Sequence, residues 1–207
     1  MATKKEADKL KAYKINVVLD GFSDIMFNRF YDHSKEVRPA DQKFYLHPDG
    51  SNHLVLPSEN IYAFLFGENP MGAAKVKEKR GAGEFIRVGQ SHLFIDPLII
   101  PFTDDKGKPI KFNPNTGNKG FGGSTPFYIY LSGGRTKLGS LSIKQEAQPR
   151  PVLKLPWRLS FTITLLDNAI LDPLKLENWF NECGITVALG AHRPRFGRFQ
   201  VKEWKVM

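Results

Sequence analysis

Two alternating segments near the C-terminus constrain the fold of this chain more than any other feature. In Trp157 to Leu166, Trp157, Leu159, Phe161, Ile163 and Leu165 fall on one side, and Arg158, Ser160, Thr162 and Thr164 on the other. Phe199 to Val206 repeats the pattern with Phe199, Val201, Trp204 and Val206. A period of two is the signature of strands with one face buried and one wet. Between them, Asp172-Pro173 is a helix start, with the acid as cap and proline in the first turn. Leu174, Leu176, Trp179 and Phe180 supply that helix with an apolar stripe, and Gly184 is expected to end it. Ile185 to Leu189 then reads as a further strand.

The N-terminal half carries a matching unit. Tyr13 to Gly21 alternates, with Ile15, Val17 and Leu19 on one side, and Phe22 to Tyr31 follows as an aromatic-rich loop or short helix. Lys43 to Leu46 and Leu54 to Leu56 flank turn residues and predict a hairpin. Ser58 is placed to cap a helix bearing Ile61, Tyr62, Phe64 and Leu65, which Gly67 ends. Met71 to Arg80 is a second helical piece closed by Gly81 and Gly83. His92 to Phe102 is an apolar strand bent at Pro97 and Pro101. The resulting order, β-α-β followed by β-α-β, predicts an α+β fold of ferredoxin-like, or RRM-like, plan: an antiparallel sheet with helices on one face and long insertions. Residues 1–12 read as a flexible basic arm, and 13–207 as a single domain with a loop-rich insertion at about 104–151. Within that insertion, Asn113 to Pro126 has little bulky material and is expected to be mobile, Phe127 to Leu131 is a short strand, and Ser132 to Pro151 is polar and basic, with Arg135, Lys137, Lys144 and Arg150.

Charge narrows the function. The net charge of +9 over 207 residues, if clustered, suits a phosphate backbone or an anionic membrane surface; if dispersed, it serves only solubility. The opening residues are Lys-rich with no apolar segment of signal-peptide type, and no apolar run approaches the roughly 18–20 residues of a membrane span, so a cytoplasmic protein with no membrane partner is expected. The single cysteine, Cys183, forms no internal disulfide and excludes a cysteine-based zinc cluster. His33, His47, His53, His92 and His192 lack metal-binding spacing, and no phosphate-binding loop, nucleophile elbow or dinucleotide fingerprint is present, so no cofactor and no metal are expected.

The segment Leu189 to Phe199 concentrates the chemistry. Gly190 and Gly197 bracket His192, Arg193, Arg195 and Phe196, with Arg198 following. Arginine forks onto phosphate oxygens and stacks on bases, and Phe196 is either a stacking face or a buried anchor of a tight turn. The loop alone leaves both readings level. Lys75, Lys77, Lys79 and Arg80 form a second basic candidate. His192 is the one placed candidate for metal-free RNA cleavage, with Asp24 and Asp32 as possible carboxylates; the alternative is that these residues make local backbone contacts.

The glycine-arginine segment resembles that of the RAMP superfamily, CRISPR-associated proteins that process or coat guide RNA. Gly190, Arg193, Gly197 and Arg198 fall on its glycine-rich loop, although Pro194 and Phe196 replace small or polar residues of the pattern. The strand ending in Gly21 with the following Phe22-Ser23-Asp24-Ile25-Met26, and Leu56-Pro57-Ser58-Glu59 leading into a helix with Gly72, Ala73 and Ala74 beyond it, are also similar. The middle, about 104–151, lies outside the resemblance, and the chain is similar as well to proteins carried by phages and mobile elements. The resemblance implies a ferredoxin-like subunit in antiviral defence that grips RNA or single-stranded DNA, stacks with copies of itself in a filament or with other subunits of a ribonucleoprotein complex, and reaches a neighbour with a thumb at Asn113 to Pro126 or the preceding hairpin. A RAMP-type endoribonuclease and a phage structural or interaction protein are the alternatives.

Overall fold

The computed structural model describes residues 11–29, 39–138 and 141–207, with side chains at 115 and 132–147 left aside. The N-terminal arm therefore lies outside the described residues except at its end, as do Asp32 and His33.

The alternating segments pair as their periodicity requires. Strand β1 (Ala12–Gly21) lies antiparallel between β8 (Arg158–Leu166) and β9 (Phe199–Val206), with Val17 opposite Phe161 on one side and Trp204 on the other. The far side of β8 is covered by β4 (Leu93–Asp96) and β5 (Ile99–Thr103), two halves of one strand interrupted at Pro97-Leu98. A short strand β3 (Val55–Pro57) extends the sheet beyond β5. The order β9-β1-β8-β4/β5 is antiparallel throughout and is the ferredoxin-like arrangement.

Helices α1 (Glu59–Phe66), α2 (Ala73–Glu78), α3 (Ala82–His92) and α4 (Pro173–Thr186) complete the α+β fold. Ile15, Val17, Leu19, Leu159, Ile163 and Leu165 are buried in the same cluster as Phe64, Leu65, Trp179 and Phe180. Phe64 packs at 5.1 Å from Phe180 and 5.2 Å from Phe199, tying both helices to the sheet. Asp172 caps α4 as expected, its Oδ1 accepting from the Lys175 amide at 2.8 Å.

Several local expectations are corrected. The Ser58 side chain does not cap α1; Ser58 is itself helical and buried. Gly81 and Gly83 do not close the second helical piece, because a short 3-10 turn at Lys79–Gly81 leads directly into α3. Gly184 does not stop α4, and Ile185 to Leu189 is not a strand: the helix runs to Thr186. A Cβ on Gly184 would lie 2.6 Å from the Phe199 carbonyl oxygen, so the glycine serves the close passage of β9.

The central insertion holds more structure than its composition suggests. Strands β6 (Phe127–Leu138) and β7 (Leu141–Leu153) form an antiparallel ribbon, about 40 Å long at the usual rise per residue. A two-residue strand, β2 (Ile25–Met26), joins β7 at Leu153 and Val152. Asn113 to Pro126 contains a 3-10 segment at Pro114–Gly120, and Phe121 anchors it, 5.3 Å from Phe112 and 6.1 Å from Phe44. These rings join Phe27, Phe102 and Phe127 in an aromatic extension of the core.

Candidate nucleic-acid interface

The glycine-arginine loop is clamped onto the chain that leaves β1. The Gly197 amide donates to the Asp24 carbonyl at 2.7 Å, the Ala191 amide to the Met26 carbonyl at 2.9 Å, and the Leu189 amide back to the Gly197 carbonyl at 2.9 Å. The Arg198 amide donates to Ser23 Oγ at 3.0 Å, and the Arg198 carbonyl accepts from Phe22 and Ser23. Gly197 has φ +74°, and a Cβ there would lie 1.9 Å from the Leu189 carbonyl oxygen, so the turn excludes any side chain. Gly190 and His192 are also left-handed, at φ +73° and +54°.

This clamp decides the role of Phe196. Its ring is only 8% exposed, clusters with Met26 and Val152, and meets Tyr130 edge-on at 5.3 Å. Phe196 is a buried anchor here, not an open stacking face. The arginines divide. Arg195 is exposed, its guanidinium 5.4 Å from the Tyr130 ring. Arg193 is half-buried, reaching the Ala63 and Pro70 carbonyls at 3.4 and 3.5 Å, and burial lowers its pKa. Arg198 folds back, its Nε donating to the Pro194 carbonyl at 2.8 Å.

Sequence reasoning placed Arg150 only in a basic stretch, yet it is central. It sits on β7 opposite Tyr130, between Pro149 and Pro151. Its Nε is buried with no hydrogen-bond partner among the described residues. Lys43, 4% exposed, lies nearby and donates to the Pro149 carbonyl at 2.8 Å. Burial and the Arg150 charge both lower the Lys43 pKa, and burial, Arg150 and Arg195 together lower that of His192.

Arg150, His192 and Arg193 line one cleft of about 450 Å³, together with Asn28, Tyr45, Glu59, Asn60 and Asn69. Glu59 is the one carboxylate among its described lining residues. The cleft thus opens between the loop, the root of the ribbon and the start of α1, with an excess of positive charge among its described residues.

The other candidates lie elsewhere. Lys75 pairs with Glu68 at 3.3 Å and Lys77 with Glu182, so the acids beside α2 offset half of that basic patch. Lys79 and Arg80 are exposed, with no ion pair among the described residues, and none of the four lines the cleft. Asp24 is committed to architecture: its carboxylate accepts from the Tyr128 hydroxyl at 3.0 Å and the Leu155 amide at 3.0 Å, fixing the ribbon root to the loop. The His192 ring has no hydrogen-bond partner among the described residues, and no cluster of three metal-ligating side chains occurs among them. No helix there is long and apolar enough to cross a membrane.

The open face of the sheet has a different character. Lys14, Asn16, Val18 and Asp20 stand opposite Thr164, Thr162, Ser160 and Arg158, and Asp20 binds Arg158 through two bonds of 2.6 and 3.1 Å. The two central strands present no aromatic ring there; Phe94, 51% exposed, stands on the flanking β4. The stacking platform by which RRM sheets hold bases is therefore not built on β1 and β8.

No family model and no curated protein sequence matches the chain. Among solved structures, it is similar to a chain of a cryo-EM structure of the Type III-B Cmr-beta complex bound to cognate target RNA, with 10% identity and a TM-score of 0.57. The match covers 95% of this chain and 61% of the other, so this chain spans about three fifths of that neighbour's length and shares its fold.

Proposed function

We propose that this protein is a non-catalytic RNA-binding subunit of a CRISPR-type ribonucleoprotein, gripping the phosphate backbone of a single strand along the glycine-arginine loop and the root of the β6–β7 ribbon. The observation that carries this reading is the concentration of Arg150, Arg193 and Arg195, backed by Lys43, around a cleft that His192 also lines and that has one carboxylate among its described lining residues. Side-chain cations held together without matching acids repel one another, and a phosphate backbone relieves that repulsion. The fold shared with a chain from an RNA-bound CRISPR assembly supports the same reading. The architectural use of Asp24 takes its carboxylate away from any role beside His192, which favours binding over cleavage.

The ribbon is the reaching element in this reading, in place of the Asn113 to Pro126 segment, which Phe121 holds to the core. It projects toward a neighbouring copy or another subunit. A gel-shift titration of Arg193→Ala/Arg195→Ala against single-stranded RNA tests the proposal. The double variant, folded as the wild type, is expected to bind more weakly across sequences, with a salt slope shallower by roughly 0.7 per lost phosphate contact. Unchanged affinity and unchanged slope overturn it.

A further inference from the structure

The cleft is more than a charged groove. Its volume, about 450 Å³, falls in the range of pockets that enclose small ligands, roughly 300–1,000 Å³. Its lining is also chemically divided. Arg150 and Arg193 supply cations, His192 supplies an imidazole held toward its neutral form, and the buried Arg150 Nε is a donor lacking an acceptor among the described residues. The opening of α1 supplies acceptors. Glu59 brings a carboxylate, which can only accept. Asn60 Nδ2 is committed to the Pro57 carbonyl at 3.4 Å, which leaves its Oδ1 for a donor. Arg193 holds the Ala63 carbonyl, one helical turn beyond Glu59, so cationic and acceptor groups lie along the same helix.

A ligand matching that division carries an anion at one end and adjacent N–H donors at the other. We infer that the cleft is a pocket for one guanine nucleotide of a bound strand, with its phosphate on Arg150, His192 and Arg193 and its base edge on Glu59 and Asn60. Guanine presents N1–H beside its N2 amino group, two parallel donors that fit a carboxylate. Adenine and cytosine place a ring acceptor next to their amino group, and uracil flanks its N3–H with two carbonyls, so each sets a lone pair against Glu59. The inference rests on the strand-binding reading above and adds a base preference to it.

The test uses the full chain and the four free nucleoside monophosphates, GMP, AMP, CMP and UMP, in calorimetric titrations, alongside gel shifts with single-stranded RNA. GMP is expected to bind about tenfold more tightly than the other three, the scale of a bidentate base contact. Arg150→Ala is expected to weaken all four. Glu59→Gln, at an exposed position where folding is not at stake, is expected to bring GMP down to the level of the rest. Equal binding of the four nucleotides, or a GMP preference that survives Glu59→Gln, overturns the inference. Failure of every mononucleotide while RNA is still shifted also overturns it and leaves strand binding standing. Failure of both overturns the strand-binding reading itself.

Discussion

Replacing Gly197 by alanine asks whether the loop is held as tightly as its geometry implies. The backbone there has φ +74°, and the new Cβ would meet the Leu189 carbonyl oxygen at 1.9 Å. The left-handed conformation alone costs an alanine about 1–2 kcal/mol. The overlap with a backbone oxygen cannot be relieved by rotating a side chain, so the loop must move. Full release forfeits the Leu189–Gly197, Gly197–Asp24 and Ala191–Met26 hydrogen bonds, about 1 kcal/mol each. It also exposes Phe196, worth about 2 kcal/mol. Release therefore caps the loss near 5 kcal/mol, and partial accommodation places it at about 3–5 kcal/mol. Gly123→Ala is the matched control: φ is +58° there, but a Cβ would meet open space, so only the conformational cost of about 1–2 kcal/mol remains. Guanidinium unfolding of both variants, compared at a common slope, gives the difference directly. If Gly197→Ala costs no more than Gly123→Ala, the loop is not clamped as described.

Phe196→Ala is expected to lose about 3–5 kcal/mol of stability in the same assay, because it empties a packed site beside Met26, Val152 and Tyr130; an unchanged midpoint with weakened RNA binding would restore the ring to a stacking role. Tyr128 carries a pKa pushed up to about 12, first by burial and then by its hydrogen bond to Asp24. Its folded value is raised above the ordinary 10, so the stability tied to its neutral form is complete below pH 10 and is lost as pH rises from 10 through about 12. Tyr128→Phe should flatten stability across that window, and an unaltered alkaline profile would contradict it. Lys75→Gln/Lys77→Gln should change RNA affinity less than Arg193→Ala/Arg195→Ala at equal charge removed, since Glu68 and Glu182 already offset those lysines; a gel shift showing the reverse order would move the interface onto α2.

What could be read from the sequence follows the range of the forces involved. The alternation of Leu159, Phe161, Ile163 and Leu165 is legible because half-burial acts residue by residue, and the Asp172-Pro173 start because capping is local. Gly184 misleads for the opposite reason: it has the local chemistry of a helix stop, yet what it answers to is the carbonyl of Phe199, distant in sequence. The ribbon is hidden in Ser132 to Pro151 because cross-strand pairing, not an apolar pattern, holds it together. Phe121, a single ring among glycines and asparagines, anchors a segment whose composition reads as mobile. The arginine loop is visible from spacing alone, but the fate of Phe196 depends on Met26 and Val152, which reach it from two other elements. Arg150 carries no signal beyond its charge, since its importance comes from the cleft that six separate segments enclose.

Photocrosslinking of single-stranded RNA containing 4-thiouridine, followed by peptide mass spectrometry, tests the location of binding most directly. Binding at the loop and ribbon root predicts crosslinked peptides from Leu189 to Phe199 and from the Tyr130 and Arg150 neighbourhood, suppressed by raised salt. Crosslinks confined to the open sheet face around Phe94, Thr162 and Arg158, or none at concentrations where RNA is bound, would contradict it.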